Sequence, residues 1–582
     1  MTILLDERVP RTLDILLRDW ASDKHRGTRL EAWLFEDEAA RRAGEARLAQ
    51  AGVTARLRSA YKPLVHAFLE EIDTNGLASV VVRYPVHPEA SPIRFLSEAY
   101  PLAALYDHVA MSFEPDDADL NYRVQATYQD GRVVEHKVFA PNRTRTNHLD
   151  QIDLVPTGWL IVSDRADGEP DIDEPVETEA EIVFHKVMAA VAAHEWPPEE
   201  PYVETLAIDV AIPGIERPLS YGDEVMSTRE ALHEDFYFSI LEFFKRRSNR
   251  PPEDRGLQPG QIVPDIRAND GDAHVRVALR GFDASQNPAR PEQDLEIADA
   301  APSLMQLQRE LAALPGETFE GMSVEGRPVR GLYRSGSRPA VLVTSGQHAN
   351  ETSAPVGAFR AVRRLLANPE ANIAFIPVEN PDGYALHGRL CEANPRHMHH
   401  AARYTSRGND LEFGKSEPAF EIGARNHALA MSGAQLHINL HGYPAHEWTR
   451  PFTGYLPRGF ELWSIPKGFF LIMRHHPSWG ETARTLIEAV TKGLSAVPGL
   501  VEFNRRQIEI CAIHSGGKPY EIINGVPCLI TAEERHPSPL TIVTEFPDET
   551  IYGDAYRFAH TVQMATVIAA EEAYASIMEN VA

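Results

Sequence analysis

The chain has 582 residues, more than one hydrophobic core usually supports, so we expect two or more domains. With 43% hydrophobic and 24% charged residues it has the composition of a folded globular protein, and it contains no apolar run long enough to predict a membrane span. The formal net charge of −27 argues against nucleic acid and anionic membrane as partners, because phosphate binding requires concentrated lysine and arginine.

Cysteine usage and the first residues both predict a cytoplasmic location. The three cysteines, Cys391, Cys511 and Cys528, have no paired Cys-x-x-Cys spacing and form no disulfide framework, which is typical of a reducing compartment. The opening stretch "MTILLDERVP" has acid and base at positions 6–8, where a secretory signal would need a longer apolar core.

The first 165 residues are predicted to form an α+β domain. Residues 11–72 are rich in Leu, Ala, Arg and Glu, a composition that predicts mainly helix. Residues 77–165 contain short apolar or alternating runs that predict strands, and the pair Asp130 and Gly131 between two of these runs predicts a hairpin.

Two breaks divide the rest of the chain. An acidic stretch with prolines at 165–181 predicts a loop or a subdomain boundary, and "ASQNPARPEQD" at 284–294 predicts a linker. We therefore expect a second N-terminal region over 166–300 and a third domain over 301–582. The first 300 residues carry no set of side chains that predicts chemistry, so a structural or interaction role is expected for them.

From about residue 302 the chain alternates strand and helix signals, beginning with a helix at "APSLMQLQRELAAL" and a strand at "AVLVTSG". Such alternation predicts an α/β domain with a largely parallel or mixed sheet covered by helices on both faces. In sheets of this kind, functional side chains lie at the carboxyl ends of strands. His348 and Glu351, in "SGQHANET", fall at such a strand end, just before a predicted helix.

Three residues at strand ends form a candidate metal site. One His-x-x-Glu pair means little by itself, because chance supplies roughly two such pairs in a chain of this composition. A third ligand, His441, ends another apolar strand in "HINLHGY", and two His with one Glu leave a fourth position on catalytic zinc for water. His437 lies on the same strand face, but its deeper position favours a hydrogen-bonded core histidine.

Glu545 is the candidate general base. It follows the apolar run "LTIVT" and precedes Pro547, where the strand must stop. Amide hydrolysis needs a base that takes a proton from water and passes it to the leaving nitrogen, and it needs a cation to hold the developing oxyanion. An ordinary surface glutamate is the alternative for this position.

The ordered set "SGQHANE", "ENPDGY", "NLHGY" and "TIVTEF" resembles the zinc metallocarboxypeptidases of the carboxypeptidase A type. The resemblance covers roughly residues 315–575 and implies an α/β/α sandwich around a mixed, mostly eight-stranded sheet. It also implies one Zn²⁺ on His348, Glu351 and His441, with Glu545 as the general base and proton shuttle.

The resemblance implies further site residues in the segment after "NPDG". This segment is expected to carry the arginine that polarises the scissile carbonyl, for which Arg396 is the first choice and Arg389 the reserve. Asp410, in "GNDLEF", looks like the carboxylate that orients a zinc-bound histidine.

Two departures from the family concern the substrate. The family's Asn-Arg pair grips the free C-terminal carboxylate of a peptide, but here the chain reads Leu411-Glu412-Phe413 after Asp410. The tyrosine that normally precedes the Ser-Gly-Gly loop is also not in place. The candidate replacements are His514 or Tyr520 for the tyrosine and Lys518 for the lost positive charge.

The leading hypothesis is therefore a metallocarboxypeptidase-type zinc hydrolase that removes C-terminal residues from peptides. A rival is a deacylase or amidase of small N-acylated amino acids, as in enzymes of the succinylglutamate desuccinylase and aspartoacylase type, which also use a His-x-x-Glu and a distant His. The missing Asn-Arg pair favours that rival. A third reading is an inactive metal-binding protein, against which the intact ligand set and Glu545 argue.

Overall fold

The structure is a computed structural model of the chain. It describes residues 1–117, 119–147, 149–163, 170–251, 254–283, 288–413, 418–460, 463–515 and 520–579. The fold is mixed α/β, with small sheets in the first 280 residues and one large mixed sheet after residue 316, which confirms the predicted fold class.

The first 280 residues form sixteen strands and seven helices in their described part. The strands are β1 (Thr2–Val9), β2 (Arg29–Leu34), β3 (Thr54–Ser59), β4 (Leu77–Pro85), β5 (Ala110–Asp116), β6 (Asn121–Tyr128), β7 (Val133–Phe139), β8 (Asn142–Thr146), β9 (Ile152–Pro156), β10 (Gly158–Ser163), β11 (Ile172–Val176), β12 (Thr205–Ile212), β13 (Glu216–Pro218), β14 (Val225–Ser227), β15 (Gln261–Ala268) and β16 (Ala273–Arg280). The helices are α1 (Thr12–Trp20), α2 (Glu38–Gln50), α3 (Pro63–Glu70), α4 (Arg94–Glu98), α5 (Leu102–Leu105), α6 (Glu179–Ala193) and α7 (Thr228–Arg247).

These strands form three four-stranded sheets, in the orders β1-β16-β12-β15, β11-β10-β2-β3 and β5-β4-β6-β7, beside two two-stranded sheets. The antiparallel pair β6 and β7 confirms the hairpin predicted at Asp130 and Gly131. Because β1 pairs with β16, one sheet joins residues on both sides of the boundary expected near residue 165. The domain bounds 1–165 and 166–300 stay a prediction.

The helical prediction for residues 11–72 is wrong for two segments, β2 and β3. β2 pairs in parallel with β3 and antiparallel with β10, so it lies in the interior of its sheet. Its Leu30, Ala32 and Leu34 are buried against the leucines of α1 and α2. Sheet pairing and burial here outweigh a composition that favours helix.

The C-terminal half has nine strands and seven helices among its described residues. The strands are β17 (Glu317–Met322), β18 (Pro328–Arg334), β19 (Val341–Ser345), β20 (Ile373–Ile376), β21 (Leu436–Pro444), β22 (Phe470–His475), β23 (Glu521–Ile523), β24 (Val526–Ala532) and β25 (Leu540–Glu549). The helices are α8 (Leu304–Ala312), α9 (Ser353–Leu365), α10 (Pro381–Cys391), α11 (Phe420–Ser432), α12 (Gly480–Leu494), α13 (Leu500–Ser515) and α14 (Asp554–Glu579).

The strands lie in the order β17-β18-β20-β19-β21-β25-β22-β24-β23, one strand more than the eight expected. The central strands β20, β19, β21 and β25 are parallel, whereas β22 runs antiparallel to β25. Val343, Ile438 and Ile542 pack on one face against α9, α12 and α14, while Leu342 and Ala374 pack on the other against α11. The result is a three-layer sandwich with parallel strand ends at its centre.

One hydrophobic core cluster spans the two halves of the chain. The largest core cluster joins Phe236 and Phe238 of α7 to Trp448 and Phe452, which lie just beyond β21. The rings of Phe238 and Trp448 are 5.4 Å apart. None of the helices in the described residues has both the length and the apolar composition to cross a membrane.

Candidate active site

The turn after β19 places the first two candidate ligands. β19 is buried along its whole length and ends at Ser345. Gly346 then adopts a left-handed φ of +64°, and a Cβ at this position would lie 3.1 Å from the Cα of Val378. The turn therefore requires glycine, and it carries His348 and Glu351 across the end of the sheet before α9 begins.

The third ligand and the candidate base come from neighbouring strands. β21 and β25 are parallel, and His441 lies in register with Glu545. Residues in register on adjacent parallel strands point to the same face, so both side chains emerge beside the turn that carries His348.

His348, Glu351 and His441 form a tight, buried cluster. The Nδ1 of His348 lies 2.8 Å from Glu351 Oε1, and the Nδ1 of His441 lies 3.0 Å from Glu351 Oε2. The two Nδ1 atoms are 3.0 Å apart, and the three ligand atoms all lie within 4.8 Å of one another. Two imidazole nitrogens and a carboxylate that converge on one point fit a metal ion, and this donor set is typical of zinc.

The electrostatics of the cluster favour an ionised carboxylate. Burial opposes ionisation of Glu351, but the nearby His348, Arg403 and His441 hold its pKa well below the usual range. Burial and Arg403 act to lower the pKa of His348, but Glu351 and Asp410 outweigh them and raise it. Burial lowers the pKa of His441. Glu351 is therefore ionised, the form in which a carboxylate binds a metal cation.

Asp410 lies behind His348, as the resemblance implies. Its Oδ2 is 3.5 Å from His348 Nε2, and its Oδ1 accepts a hydrogen bond from Gln347 Nε2 at 3.0 Å. A carboxylate at this position holds the imidazole so that its other nitrogen faces the metal. His437, by contrast, contacts the hydroxyl of Thr344 at 2.8 Å and serves as a core histidine.

Glu545 is buried beside the cluster and only 8% exposed. Its Oε2 has no hydrogen-bond partner among the described residues. Burial, together with the charge of Glu351, raises its pKa well above the usual range. An unpartnered carboxylate with a raised pKa is suited to accept and release a proton.

The structure brings a different arginine to the cluster from those chosen on spacing. Arg396 pairs with Asp223 at 3.0 Å, and Arg389 pairs with Asp265 at 3.3 Å. Within the described residues neither contacts the three ligands.

Arg403 occupies the place next to the ligands. Its Nη1 donates to Glu351 Oε1 at 2.7 Å and lies 3.4 Å from Glu549 Oε1. Spacing does not predict Arg403. This arginine follows a left-handed residue, His399, and a short 3₁₀ turn, neither of which a spacing rule anticipates.

The three candidates near the Ser-Gly-Gly loop differ in their surroundings and in whether the structure describes them. His514 Nδ1 contacts the backbone oxygen of Leu96 at 3.0 Å, and its ring packs edge-on against Tyr100, so it belongs to the contact with the N-terminal half. Burial raises the pKa of the Tyr520 hydroxyl to about 12. Lys518 lies outside the described residues.

Glu412 has two positive partners. Its Oε2 accepts a hydrogen bond from Arg425 at 2.8 Å, and its Oε1 lies 2.9 Å from His536 Nδ1. Arg425 is buried and also donates to both oxygens of Glu379. The negative charge of Glu412 is therefore neutralised within the protein, and Arg425 has no free donor pair to offer a substrate.

Helix α7 of the N-terminal half forms part of the surroundings of the site. Glu230 Oε2 lies 2.6 Å from His446 Nε2, in the segment after β21, and Glu234 Oε2 lies 2.8 Å from His400 Nδ1. Glu230 Oε1 also accepts a hydrogen bond from the backbone N–H of Met398. Buried acids of α7 thus hold the two segments that follow the ligand strand and precede Arg403.

Comparison with known proteins agrees with this geometry. Residues 316–421, which hold His348 and Glu351, match the model of a protein family described as zinc carboxypeptidase. Over this stretch the chain is similar to the zinc carboxypeptidase family, and it is a zinc hydrolase of metallocarboxypeptidase type. No curated protein matches the chain.

Solved structures include similar chains of low identity. A metallo-carboxypeptidase from Burkholderia cenocepacia is 16% identical, with 55% of this chain and 78% of that one covered and a TM-score of 0.30. Carboxypeptidase A from Helicoverpa armigera is 12% identical, with 58% of this chain and 95% of that one covered and a TM-score of 0.32.

Proposed function

We propose that the protein is a metallocarboxypeptidase that removes C-terminal residues from peptides, with one zinc ion per chain. The observation that carries this proposal is the buried cluster of His348, Glu351 and His441 with the unpartnered carboxylate of Glu545 in register beside it. The family match over 316–421 supports the peptide substrate. The reducing compartment expected from the cysteines supports a cytoplasmic location.

The proposed ligands are His348 Nδ1, the carboxylate of Glu351 and His441 Nδ1. When bound, zinc supplies Lewis acidity towards a carbonyl oxygen and lowers the pKa of a water ligand. Asp410 orients His348 from behind, and Thr544 holds the backbone N–H of His441 through a 2.9 Å hydrogen bond.

Glu545 is the residue that moves the proton. Its free Oε2 takes a proton from the attacking water and returns it to the leaving nitrogen. A raised pKa suits this double role, because the carboxyl group must hold the proton between the two transfers. No other residue among those described pairs with that oxygen and competes for the proton.

Arg403 is proposed as the cation that faces the developing oxyanion. It lies against Glu351 and Glu549, whose negative charges raise its pKa and keep the guanidinium charged. Fixed positive charge near a developing oxyanion stabilises the transition state more than the ground state. Arg396 stays the alternative that spacing predicts.

Hydrolysis of small N-acylated amino acids is the second candidate function. The observation in its favour is Glu412, which stands where an Asn-Arg pair would grip a peptide's C-terminus and is bound by Arg425 and His536. A site without that pair is compatible with a smaller substrate.

One experiment separates these functions. The purified, zinc-loaded protein is incubated with a mixed peptide library and with N-acylated amino acids, with and without a chelator, and product masses are recorded. Chelator-sensitive loss of single C-terminal residues is the expected result. Hydrolysis of the acylated amino acids alone would favour the second function, and no turnover by a metal-loaded protein would overturn both.

A further inference from the structure

Lys467 lies on the active-site side of the sheet, in the segment before β22. Its Nζ lies 5.0 Å from the ring centroids of both Tyr443 and Trp463 and 5.7 Å from that of Phe470. Its backbone N–H donates to the hydroxyl of Tyr443 at 2.9 Å, and that hydroxyl donates to the carbonyl of Gly468 at 2.6 Å. The position of this lysine is therefore fixed by both its backbone and its side chain.

Two of these aromatic residues connect Lys467 to the catalytic groups. Tyr443 follows the ligand His441 by two residues on β21, so both side chains lie on one face. Phe470 of β22 is in register with Glu545 of β25. The ammonium of Lys467 thus lies along the same edge of the sheet as the metal cluster and the base.

The Nζ of Lys467 is buried, and it has no hydrogen-bond partner among the described residues. An ammonium group offers three donors, and leaving all of them unsatisfied away from water is costly. The aromatic rings offset part of that cost through cation–π attraction. Burial lowers the pKa of Lys467 to about 8, with Cys511 and Glu545 acting against it, so the group is mostly protonated at neutral pH.

Two arginines near the site are already paired. Arg403 lies against Glu351 and Glu549, and Arg425 lies between Glu379 and Glu412. Each of these guanidinium groups forms ion pairs with two carboxylates of the protein. Within the part of the chain that the structure describes, Lys467 has its aromatic cage and the more distant Cys511 and Glu545.

We propose that Lys467 binds a carboxylate of the substrate and selects substrates that carry an anionic group next to the scissile amide. This inference rests on the proposed hydrolytic function and names its substrate class. The carboxylate is either the α-carboxylate of a peptide's last residue or an acidic group elsewhere in the substrate. Lys467, within its aromatic cage, supplies the positive charge that Glu412 cannot.

The test compares Lys467→Met and Lys467→Arg with the wild type on matched substrates. These are an N-acyl dipeptide with a free C-terminal carboxylate, its C-terminal amide, and the same amide with an acidic last side chain. A charge-assisted hydrogen bond is worth about 10- to 100-fold in binding, so Lys467→Met is expected to lower the ratio of kcat/KM for carboxylate over amide by that factor. Lys467→Arg is expected to keep part of the preference.

The three substrates distinguish the two sources of the carboxylate. A preference for the free C-terminus that disappears in Lys467→Met assigns the α-carboxylate. A preference for the acidic side chain that disappears in the same variant assigns the other source. The exposed Lys492→Met is the matched control, and its ratio is expected to equal that of the wild type.

An unchanged ratio in Lys467→Met, including an equal loss on all substrates, would overturn the proposal. Zinc content and thermal midpoint report whether the variants fold. Calorimetric binding of 3-phenylpropionate and of its amide to the zinc-loaded proteins gives a readout that does not depend on turnover. If the wild type hydrolyses nothing yet binds the carboxylate through Lys467, the proposed function fails, but Lys467 remains a carboxylate-binding residue. Carboxylate binding that is the same without Lys467 refutes the role of Lys467.

Discussion

Glu545 is the side chain on which the proposed chemistry depends most directly. It is buried, its Oε2 has no partner among the described residues, and it lies in register with a metal ligand. Replacement by glutamine keeps the size of the side chain but removes its ability to accept a proton. Glu545→Gln is expected to keep its zinc while kcat falls about 10²- to 10⁴-fold.

Zinc content by atomic absorption and steady-state kinetics check this prediction. Glu521→Gln is the control, because Glu521 is an exposed carboxylate that pairs with Arg484 on the far edge of the sheet. Turnover of Glu545→Gln at the wild-type rate would remove this residue from the mechanism.

Arg403 and Arg396 are the two candidates for the cation that stabilises the oxyanion, and variants distinguish them. Arg403 contacts the ligand Glu351 and the buried Glu549, whereas Arg396 is half-exposed and pairs with Asp223. Loss of an oxyanion-stabilising group costs about 10²- to 10³-fold in kcat, and we expect this loss for Arg403→Met. Arg396→Met is expected to change kcat/KM by less than about threefold, because Arg396 pairs with Asp223 away from the ligands and surface substitutions usually change stability by less than about 0.5 kcal/mol. The reverse pattern would return the role to Arg396.

Residue-scale prediction from the sequence works where a side chain lies at the end of a strand. His348, Glu351, His441 and Glu545 were all recognisable as such, and the structure places them together. Arg403 and Lys467 lie in long segments between regular elements, and no local pattern indicates where such segments cross the sheet. Their contacts arise only from tertiary packing.

At the scale of elements, the contact between α9 and α14 supports the ligand strand. Gln563 of α14 donates from Nε2 to the backbone oxygen of His441 at 2.9 Å, and its Oε1 accepts from the hydroxyl of Thr544. Gly357 of α9 allows this close approach, because a Cβ there would lie 2.4 Å from the Cβ of Gln563 and 2.9 Å from the backbone oxygen of His560.

Gly357→Ala is therefore expected to destabilise the protein. The added methyl group forces the two helices apart, and overpacking of this kind costs about 1–3 kcal/mol. Gly423→Ala in α11 is the matched control, since its Cβ would meet only the Cβ of Ala419, at 3.9 Å. Replacing a helical glycine where there is room raises stability by about 0.4–1 kcal/mol. Urea unfolding should move the two midpoints in opposite directions, and equal shifts would contradict this reading.

Elements were predictable where burial and periodicity agree. The alternation of β19, α9, β20, β21, β25 and α14 is visible in the sequence because each strand is short and apolar and each helix has an apolar stripe. β2 and β3 were missed because Arg29, Arg56 and Arg58 give them a helix-like composition. Ion pairs explain why arginines occur in these strands. Arg58 donates to Glu71 at 2.9 Å and also pairs with Glu31.

At the scale of the whole molecule, the first 300 residues are coupled to the catalytic half through buried charge as well as apolar packing. Glu230, Glu234 and Asp235 lie on one helix, and burial raises the pKa of the last two to about 7. Their partners lie in the catalytic half, and His446, the partner of Glu230, is one of them. No local sequence pattern predicts a role for these acids, because that role depends on residues about 160 to 220 positions away.

The His446–Glu230 pair makes the stability of this interface depend on pH. Burial acts to lower the pKa of His446, but Glu230, Glu224 and Glu216 outweigh it and raise the pKa to about 9. Because the folded-state pKa lies above the unfolded value near 6.5, the stabilisation is complete below about pH 6.5 and is lost as pH rises through about 9. Lys62, whose pKa burial lowers to about 7, contributes with the opposite sign.

A comparison of His446→Gln with the wild type isolates the histidine from these other groups. A shift of this size corresponds to about 3 kcal/mol, so the wild type should exceed the variant in free energy of unfolding by about that amount at pH 6. The difference should shrink towards zero by pH 10, as His446 loses its proton in both the folded and the unfolded chain. Urea titrations at several pH values measure it, with the exposed His108→Gln as the control. A difference that does not change with pH would show that His446 acts through packing alone and that charge does not couple the two halves.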